Sequence, residues 1–389
     1  MSKTDYRILL AGIGKMGFNH AKAIQAQAAL HPDVKLSAVS DRDYNALIKA
    51  REILPPDTPL YWVPDDDSVI TPDNLEAFKI ERIASHAAII EKHQITALTN
   101  AVHNDGHVSV LEDALTIRAA DGTPSIHTIW QEKPYGRINE NHNAVNRIIA
   151  DHHIVFSLNS ILLYSPVWHA IDDCLSSSPQ MQLTSVKCTY GKDRTQDTRP
   201  AFDGWVGMEG IHAVDLIHST LDELEFTHAE HIYGFLAENA SDDGHVAFAV
   251  KAEGTGKRNG QNVNVDLKGS FAWAQQYRRL VLHFSDASCQ EQKIQIDFDM
   301  GKRGNLYDRL QVWRNGACIK SEEFRPQEIT IDGIKYVKDK LFEYYNAVIS
   351  GQTPRCDLER TISSQTQLAR LLKPDVIHKT DAKHAPSQP

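Results

Sequence analysis

Much of what would announce a specialised protein is missing from this chain. Its five cysteines, Cys174, Cys188, Cys289, Cys318 and Cys356, are scattered and odd in number, with no C-x-x-C pair. A disulfide framework and a thiolate metal knuckle both fall away, and reduced thiols in a cytoplasmic protein are expected. Nineteen histidines are present, yet none stands in H-E-x-x-H or a comparable spacing, so no metal site is expected. No apolar run is long enough to span a bilayer, and Met1 to Asp5 leads into the first strand without a secretory pattern. Basic charge is also in deficit, with 41 Lys and Arg against 51 Asp and Glu and a formal net charge of -10. Nucleic acid and anionic membranes want a basic face, so neither is an expected partner, whereas a small polar or neutral substrate fits. Internal repeats and low-complexity tracts are absent too.

What is there begins with length. A chain of 389 residues exceeds one ordinary core, and two domains are expected. The apolar stretch Tyr6-Arg7-Ile8-Leu9-Leu10 reads as a buried strand and runs into Ala11-Gly12-Ile13-Gly14-Lys15-Met16-Gly17. A helix-forming stretch, Phe18 to Leu30, follows. Gly12, Gly14 and Gly17 thus make G-x-G-x-x-G at a strand-to-helix turn. Such a turn gives a tight bend, a close backbone approach for a pyrophosphate, and a helix N-terminus aimed at the phosphates. A second strand, Val34 to Ser40, ends at Asp41, where an acid can bond ribose hydroxyls. Asp41 favours NAD; Arg42 beside it keeps NADP open.

Strand and helix then alternate. Helices are expected over Tyr44 to Ile53, Pro72 to Phe78, Ile80 to Lys92, from a cap at Asp105 to Ala119, and Glu140 to Ala150. Strands are expected over Ile95 to Ala101, Ser125 to Trp130 and Ile154 to Leu158. This is the rhythm of a parallel sheet with helices on both faces. Past about residue 180 long extended stretches dominate: Gln182 to Tyr190, His228 to Ala237, His245 to Ala252, Val263 to Trp273, Arg278 to Phe284, Lys293 to Phe298 and Arg309 to Trp313. Turn residues such as Glu253-Gly254-Thr255-Gly256 are read as separating them, and a mostly antiparallel sheet is expected. One helix interrupts it, Met208 to Leu221. Closing helices are read over Lys335 to Ile349, with Val337, Leu341, Tyr345 and Val348 on one face, and Leu358 to Leu372. The expected division is a dinucleotide-binding domain over 1–160, a substrate and oligomerisation domain over 161–378, and a loose tail over 379–389.

Two further motifs carry chemistry. Glu132-Lys133-Pro134 follows a strand of the parallel sheet, and ligands bind beyond the carboxyl ends of such strands. A lysine there can hold a substrate hydroxyl and stabilise developing charge on its oxygen. In Gly210-Ile211-His212-Ala213-Val214-Asp215, His212 and Asp215 are three apart, on one face of a helix. An aspartate can orient an imidazole that accepts a hydroxyl proton. Asp193, Arg194 and Asp203 are candidate partners for substrate hydroxyls, and Trp205 a candidate stacking platform for a sugar face.

Taken in order, Ala11 to His20, Glu132-Lys133-Pro134 and Gly210 to Asp215 resemble the glucose–fructose oxidoreductase / inositol dehydrogenase (Gfo/Idh/MocA) family. The resemblance covers roughly Tyr6 to Lys373. Val102 to His107 stands where that family carries T-P-N-x-x-H, matched only at Asn104 and His107, and Gly351-Gln352-Thr353-Pro354 looks like its G-x-x-P. The resemblance implies a Rossmann domain followed by an α/β domain with an open, mostly antiparallel sheet whose outer face makes dimers or tetramers. It implies Lys133 and His212 as the catalytic pair with Asp215 assisting. It also implies coenzyme contacts from Gly12 to Gly17, Asp41, Arg42, Asn104, His107, Glu132 and Lys133. The expected activity is NAD(P)-dependent hydride transfer to or from a secondary alcohol of a sugar, sugar derivative or cyclitol. A catalytically silent NAD(P)-binding sensor and an NAD-dependent glycosidase are the alternatives. Departures fall on the substrate side. Met208 stands where many members have an aspartate, and no arginine precedes Pro166. The stretch from Pro55 to Pro72 is longer than usual, and a lid or subunit contact is a candidate role.

Overall fold

The structure is a computed structural model. It describes residues 5–65, 76–138, 140–178, 180–193, 204–235, 245–273, 275–301, 305–331 and 333–379. Arg194, Asp203, the later part of the Pro55 to Pro72 stretch and the tail from residue 380 lie outside the described residues. Two compact units emerge: 1–159 with 327–358, and 160–326 with 359–389. Residues 327–358, which sequence reading had placed in the second domain, fold with the first unit.

The first unit is built on seven strands: β1 Tyr6–Ala11, β2 Val34–Asp41, β3 Leu60–Trp62, β4 Ile80–Arg82, β5 Ala97–Asn100, β6 Thr128–Gln131 and β7 Val155–Leu158. Their order is β4-β3-β2-β1-β5-β6-β7, and every pairing is parallel. The chain runs outward from β1 on one side, then returns to start the other side at β5. The gap between those two strands is therefore the topological switch point, where ligands of such sheets bind. Helices α1 Lys15–Leu30, α2 Tyr44–Arg51, α3 His86–His93, α4 His107–Ala114 and α5 Asn143–Asp151 alternate with the strands. Strands buried on both faces read as apolar runs, and Ile8, Leu9, Leu10, Val39, Leu98 and Ile129 are fully buried.

The second unit carries α6 Val167–Ser176, α7 Ile211–His218 and a nine-stranded sheet. Its strands are β8 Gln182–Gly191, β9 Glu223–Phe235, β10 His245–Arg258, β11 Gln261–Ser270, β12 Tyr277–Ser285, β13 Glu291–Met300, β14 Tyr307–Arg314, β15 Ala317–Phe324 and, further on, Val376–Lys379. All neighbours are antiparallel except β11 with β8 and Val376–Lys379 with β9. The expected class, a Rossmann-like parallel sheet followed by a mostly antiparallel one, is borne out.

After β15 the chain supplies the first unit with a hairpin, β16 Gln327–Ile331 and β17 Ile334–Lys338, and with α8 Lys340–Ile349. Helix α9 Leu358–Leu371 follows, and the Val376–Lys379 strand is β18.

Several local expectations are corrected. Ile80 to Arg82 is the strand β4, and the helix read there begins only at His86, capped by Ser85. Asp105 does not cap α4; it accepts from His103 Nδ1 at 2.8 Å. The Glu253-Gly254-Thr255-Gly256 run lies inside β10, where the register slips between Glu253 and Gly254. A Cβ on Gly254 would sit 2.3 Å from Glu225 O, so these glycines admit a neighbouring strand, and the turn comes later, at Asn259-Gly260. Val337 is half exposed on a strand, because Asp339 caps α8 through Leu341 N and Phe342 N and starts the helix after it.

Candidate functional site

In the first unit, the motifs collect along one edge of the sheet because parallel strands end together. Ala11 pairs with Ser40 and Asn100, and Asn100 with Gln131. Backbone bonds extend that row, Gly12 N to Ser40 O at 2.8 Å, Ala101 N to Ala11 O at 2.8 Å and Glu132 N to Asn100 O at 2.8 Å. The glycine loop, Asp41, Asn104 and Lys133 thus leave neighbouring strand ends.

Each loop glycine has its own reason. Gly12 has φ +88°, and a Cβ there would lie 2.5 Å from the Ala101 and Val102 backbone. A Cβ on Gly17 would lie 2.1 Å from Gly12 O, so helix and loop touch. A Cβ on Gly14 would meet nothing within 4 Å. Its lack of a side chain serves no packing need inside the chain and leaves the backbone open to an outside group. Gly14 also stands at the N-terminus of α1, with no side-chain cap and no acidic residue in the first turn. The exposed, uncapped amide end is the donor set a pyrophosphate requires. Lys15 and Met16 are exposed, whereas the Ile13 side chain is buried in the apolar cluster with Leu10, Val39 and Leu47, so only its backbone faces the loop.

Asp41 is tied to that loop. Its Oδ2 accepts from Ile13 N at 2.6 Å and its Oδ1 from Asp43 N at 2.9 Å. Burial raises its carboxyl above the ordinary value, partly offset by those two N–H groups. Arg42 is half exposed and pairs with Asp65 at 3.3 Å.

Glu132 is a buried charge with several partners. It accepts from His20 Nε2 at 2.8 Å, from Asn159 Nδ2, and from Lys133 N at 3.1 Å. Burial opposes its ionisation, but His20, Asn159 and Lys133 overcome burial and lower its pKa to about 2. His20 Nδ1 lies 2.8 Å from Tyr345 Oη, which lies 2.9 Å from Thr99 Oγ1. This buried chain joins α1, the E-K-P segment, β5 and α8. The Glu132 carboxylate fixes the backbone that presents Lys133. His107 has a similar structural task. Fully buried, its ring nitrogens face Pro134 O at 2.6 Å and Val102 O at 3.1 Å, so it ties the E-K-P turn to the loop after β5. Burial chiefly pushes its pKa below the ordinary imidazole value. Asn104 is half-buried in a short turn, Asn104–Gly106, and Lys133 is partly exposed, with a cis peptide to Pro134.

In the second unit, a π-helical turn, Val206–Gly210, leads into α7, all eight residues of which are buried. Such widened turns cluster at functional sites. His212 is 7% exposed and stacks on Tyr190 at 5.7 Å between ring centroids, with planes 27° apart. Asp215 is fully buried, and its Oδ1 accepts from Ser364 Oγ of α9 at 2.6 Å. Lys192 pairs with the buried Glu209 at 2.8 Å. Asp193 is exposed. Trp205 is not a stacking platform. It is fully buried, donates from Nε1 to Tyr190 O at 3.1 Å, and its ring covers Gly269, where a Cβ would lie 2.2 Å from it.

His20, Tyr345 and Tyr190 were missed. Only His20 left a signal, standing three residues after the last loop glycine, where a helix turns its side chain back toward the sheet. Among the described residues no group of three or more His, Cys, Asp or Glu could hold a metal ion, and no helix is long and apolar enough to cross a membrane.

No family model matches the sequence, and neither does any curated protein. Solved structures do match. KijD10, a 3-ketoreductase from Actinomadura kijaniata in complex with NADP and TDP-benzene, is 13% identical, with a TM-score of 0.64 over 97% of this chain and 100% of its own. A candidate NADPH-dependent oxidoreductase from Desulfitobacterium hafniense is 10% identical, with a TM-score of 0.63 over 96% and 95%. A candidate oxidoreductase from Bacillus subtilis, YvaA, is 12% identical, with a TM-score of 0.61 over 95% and 96%. What these share with this chain is the fold.

Proposed function

We propose that this chain is an oxidoreductase that uses a nicotinamide dinucleotide to interconvert a secondary alcohol and a ketone on a sugar, sugar derivative or cyclitol. One observation carries the reading: Gly14 is open on its outer side at an uncapped helix N-terminus, at the switch point of a parallel sheet, with Lys133 on the same edge. The loop amides of Gly14 to Gly17 would hold the pyrophosphate and Asp41 the adenosine ribose. NAD is the first expectation. Arg42 beside Asp41, and the NADP in the KijD10 complex, keep NADP in play. When bound, the nicotinamide supplies or accepts the hydride.

The chain's own residues do the rest. Lys133, its backbone held through Glu132, hydrogen-bonds the reacting oxygen and stabilises the charge that develops on it. His212 exchanges the hydroxyl proton. Asp215, anchored by Ser364, assists it. A small hydroxylated substrate and a homodimer or homotetramer in the cytoplasm complete the proposal, with neither nucleic acid nor membrane as partner.

The test is a screen of neutral sugars, uronates, cyclitols and nucleotide-sugars with NAD and with NADP, following nicotinamide absorbance. Substrate-dependent reduction of the coenzyme is expected. Sugar release without net NADH would favour the glycosidase alternative, and coenzyme binding with no reaction the sensor.

A further inference from the structure

The second unit holds a polar group that its own packing leaves unanswered. Tyr190 pairs with Gly269 on β11 and with Arg278 on β12, so these three share one face of the sheet. Gly269 has no side chain, and the Trp205 indole occupies the space. On the same face the Arg278 guanidinium lies 5.4 Å from the centre of the Tyr190 ring. The ring is 1% exposed, yet its hydroxyl has no hydrogen-bond partner among the described residues. A buried hydroxyl without a partner is costly, and phenylalanine would fill the same volume without that cost. The group sits against His212, not in a remote part of the core.

We propose that the Tyr190 hydroxyl is a substrate-binding group, which hydrogen-bonds an uncharged hydroxyl of the polyol while the phenol ring backs the His212 imidazole. This rests on the oxidoreductase reading above. The charges around the ring point to a neutral ligand. Arg278 pairs with Asp299, and Lys192 with Glu209, so both cations are matched by carboxylates. Burial, above all, pushes the phenol's pKa well above its ordinary value, so it remains an O–H donor. A carboxylate or phosphate would want a spare cation; a sugar or cyclitol hydroxyl needs only a donor and acceptor such as this phenol.

Tyr190→Phe tests the idea in the full-length protein, with turnover and calorimetric binding of the best neutral polyol measured side by side. Losing one hydrogen bond to ligand should raise KM and the polyol Kd about tenfold. Coenzyme affinity should stay unchanged, and Tm should stay level or rise by about 2 °C. Simultaneous gain in stability and loss of substrate affinity is the signature. Unchanged polyol affinity with a raised Tm would show an idle hydroxyl and overturn the proposal. A lowered Tm would show that the hydroxyl serves the fold, and would also overturn it. A wild-type preference for a uronate over its neutral sugar would contradict the charge argument. If wild type binds a polyol without turning it over, the oxidoreductase reading fails while the binding comparison still decides Tyr190.

Discussion

Glu132 in the first unit and Tyr190 in the second are both buried polar side chains beside residues proposed to do chemistry, and their surroundings treat them in opposite ways. Glu132 accepts from an imidazole, an amide side chain and a backbone N–H. Tyr190 has a hydroxyl with no partner among the described residues. The same contrast recurs between glycines of one loop. Gly12 and Gly17 are required by atoms of the chain, whereas Gly14 faces open space. Groups the fold satisfies build the frame; groups it leaves open are the candidates for meeting a ligand. Substitutions at the two kinds of position should therefore separate stability from binding.

The largest expected effect is at Lys133. Lys133→Ala should lower turnover about 10²- to 10⁴-fold while NADH still binds. Unchanged turnover in a steady-state assay would remove Lys133 from the mechanism. Next comes Glu132, as the frame's own charge. Its folded pKa of about 2 lies below the ordinary 4.5, so its contribution is fully present above about pH 4.5 and is lost as pH falls toward 2. That contribution is about 3 kcal/mol. Glu132→Gln should lower stability at neutral pH and flatten the acid limb of unfolding free energy against pH. A limb of undiminished slope would assign the acid sensitivity elsewhere.

The glycine loop offers the sharpest comparison. Gly12→Ala places a Cβ against the Ala101 backbone at positive φ and should cost about 2 kcal/mol of stability. Gly14→Ala should leave Tm unchanged yet weaken coenzyme binding about tenfold or more, since the methyl occupies the pyrophosphate's approach. Equal behaviour of the two variants in paired melting and binding curves would break the distinction between frame and site. The smallest effect is at Asp41. Asp41→Ala should weaken NAD about three- to tenfold and NADP less, because the carboxylate that bonds a ribose hydroxyl also repels a 2′-phosphate. Some loss for both is expected, since Asp41 also holds Ile13 N. Identical losses would show that it acts only on the loop.

The parallel half was legible because its signals are local. Tyr6 to Leu10 is an apolar run ending in a glycine turn, and the strand and the helix after it follow from that. The misreadings share a physical cause. Ile80-Glu81-Arg82 has no intrinsic mark of a strand and becomes one by lying beside Leu60-Tyr61-Trp62, a pairing from 20 residues away. Gly254 and Gly256 look like turn residues, but their role is to admit Glu225 O of β9 and the Leu221 side chain just before that strand. The edge strand Ala317–Phe324 is mostly exposed and was not read at all, since an exposed edge has no alternation to betray it. At the candidate site, the residue types that carry motifs were visible, and their partners were not. His20 reaches Glu132 across 112 positions, and Tyr345 reaches His20 across 325. Trp205 was read as a surface platform because a loop tryptophan beside Asp203 and Gly204 gives no hint that a glycine on β11 has left space for its ring.

The central claim, that the open Gly14 end of α1 receives a dinucleotide, is tested most directly by titrating the purified chain with NADH and with NADPH while following nicotinamide fluorescence. Saturable binding of at least one, displaced by its oxidised form and weakened in Gly14→Ala without change in Tm, is the expected result. No saturable signal with either coenzyme, or full binding retained in Gly14→Ala, would contradict it.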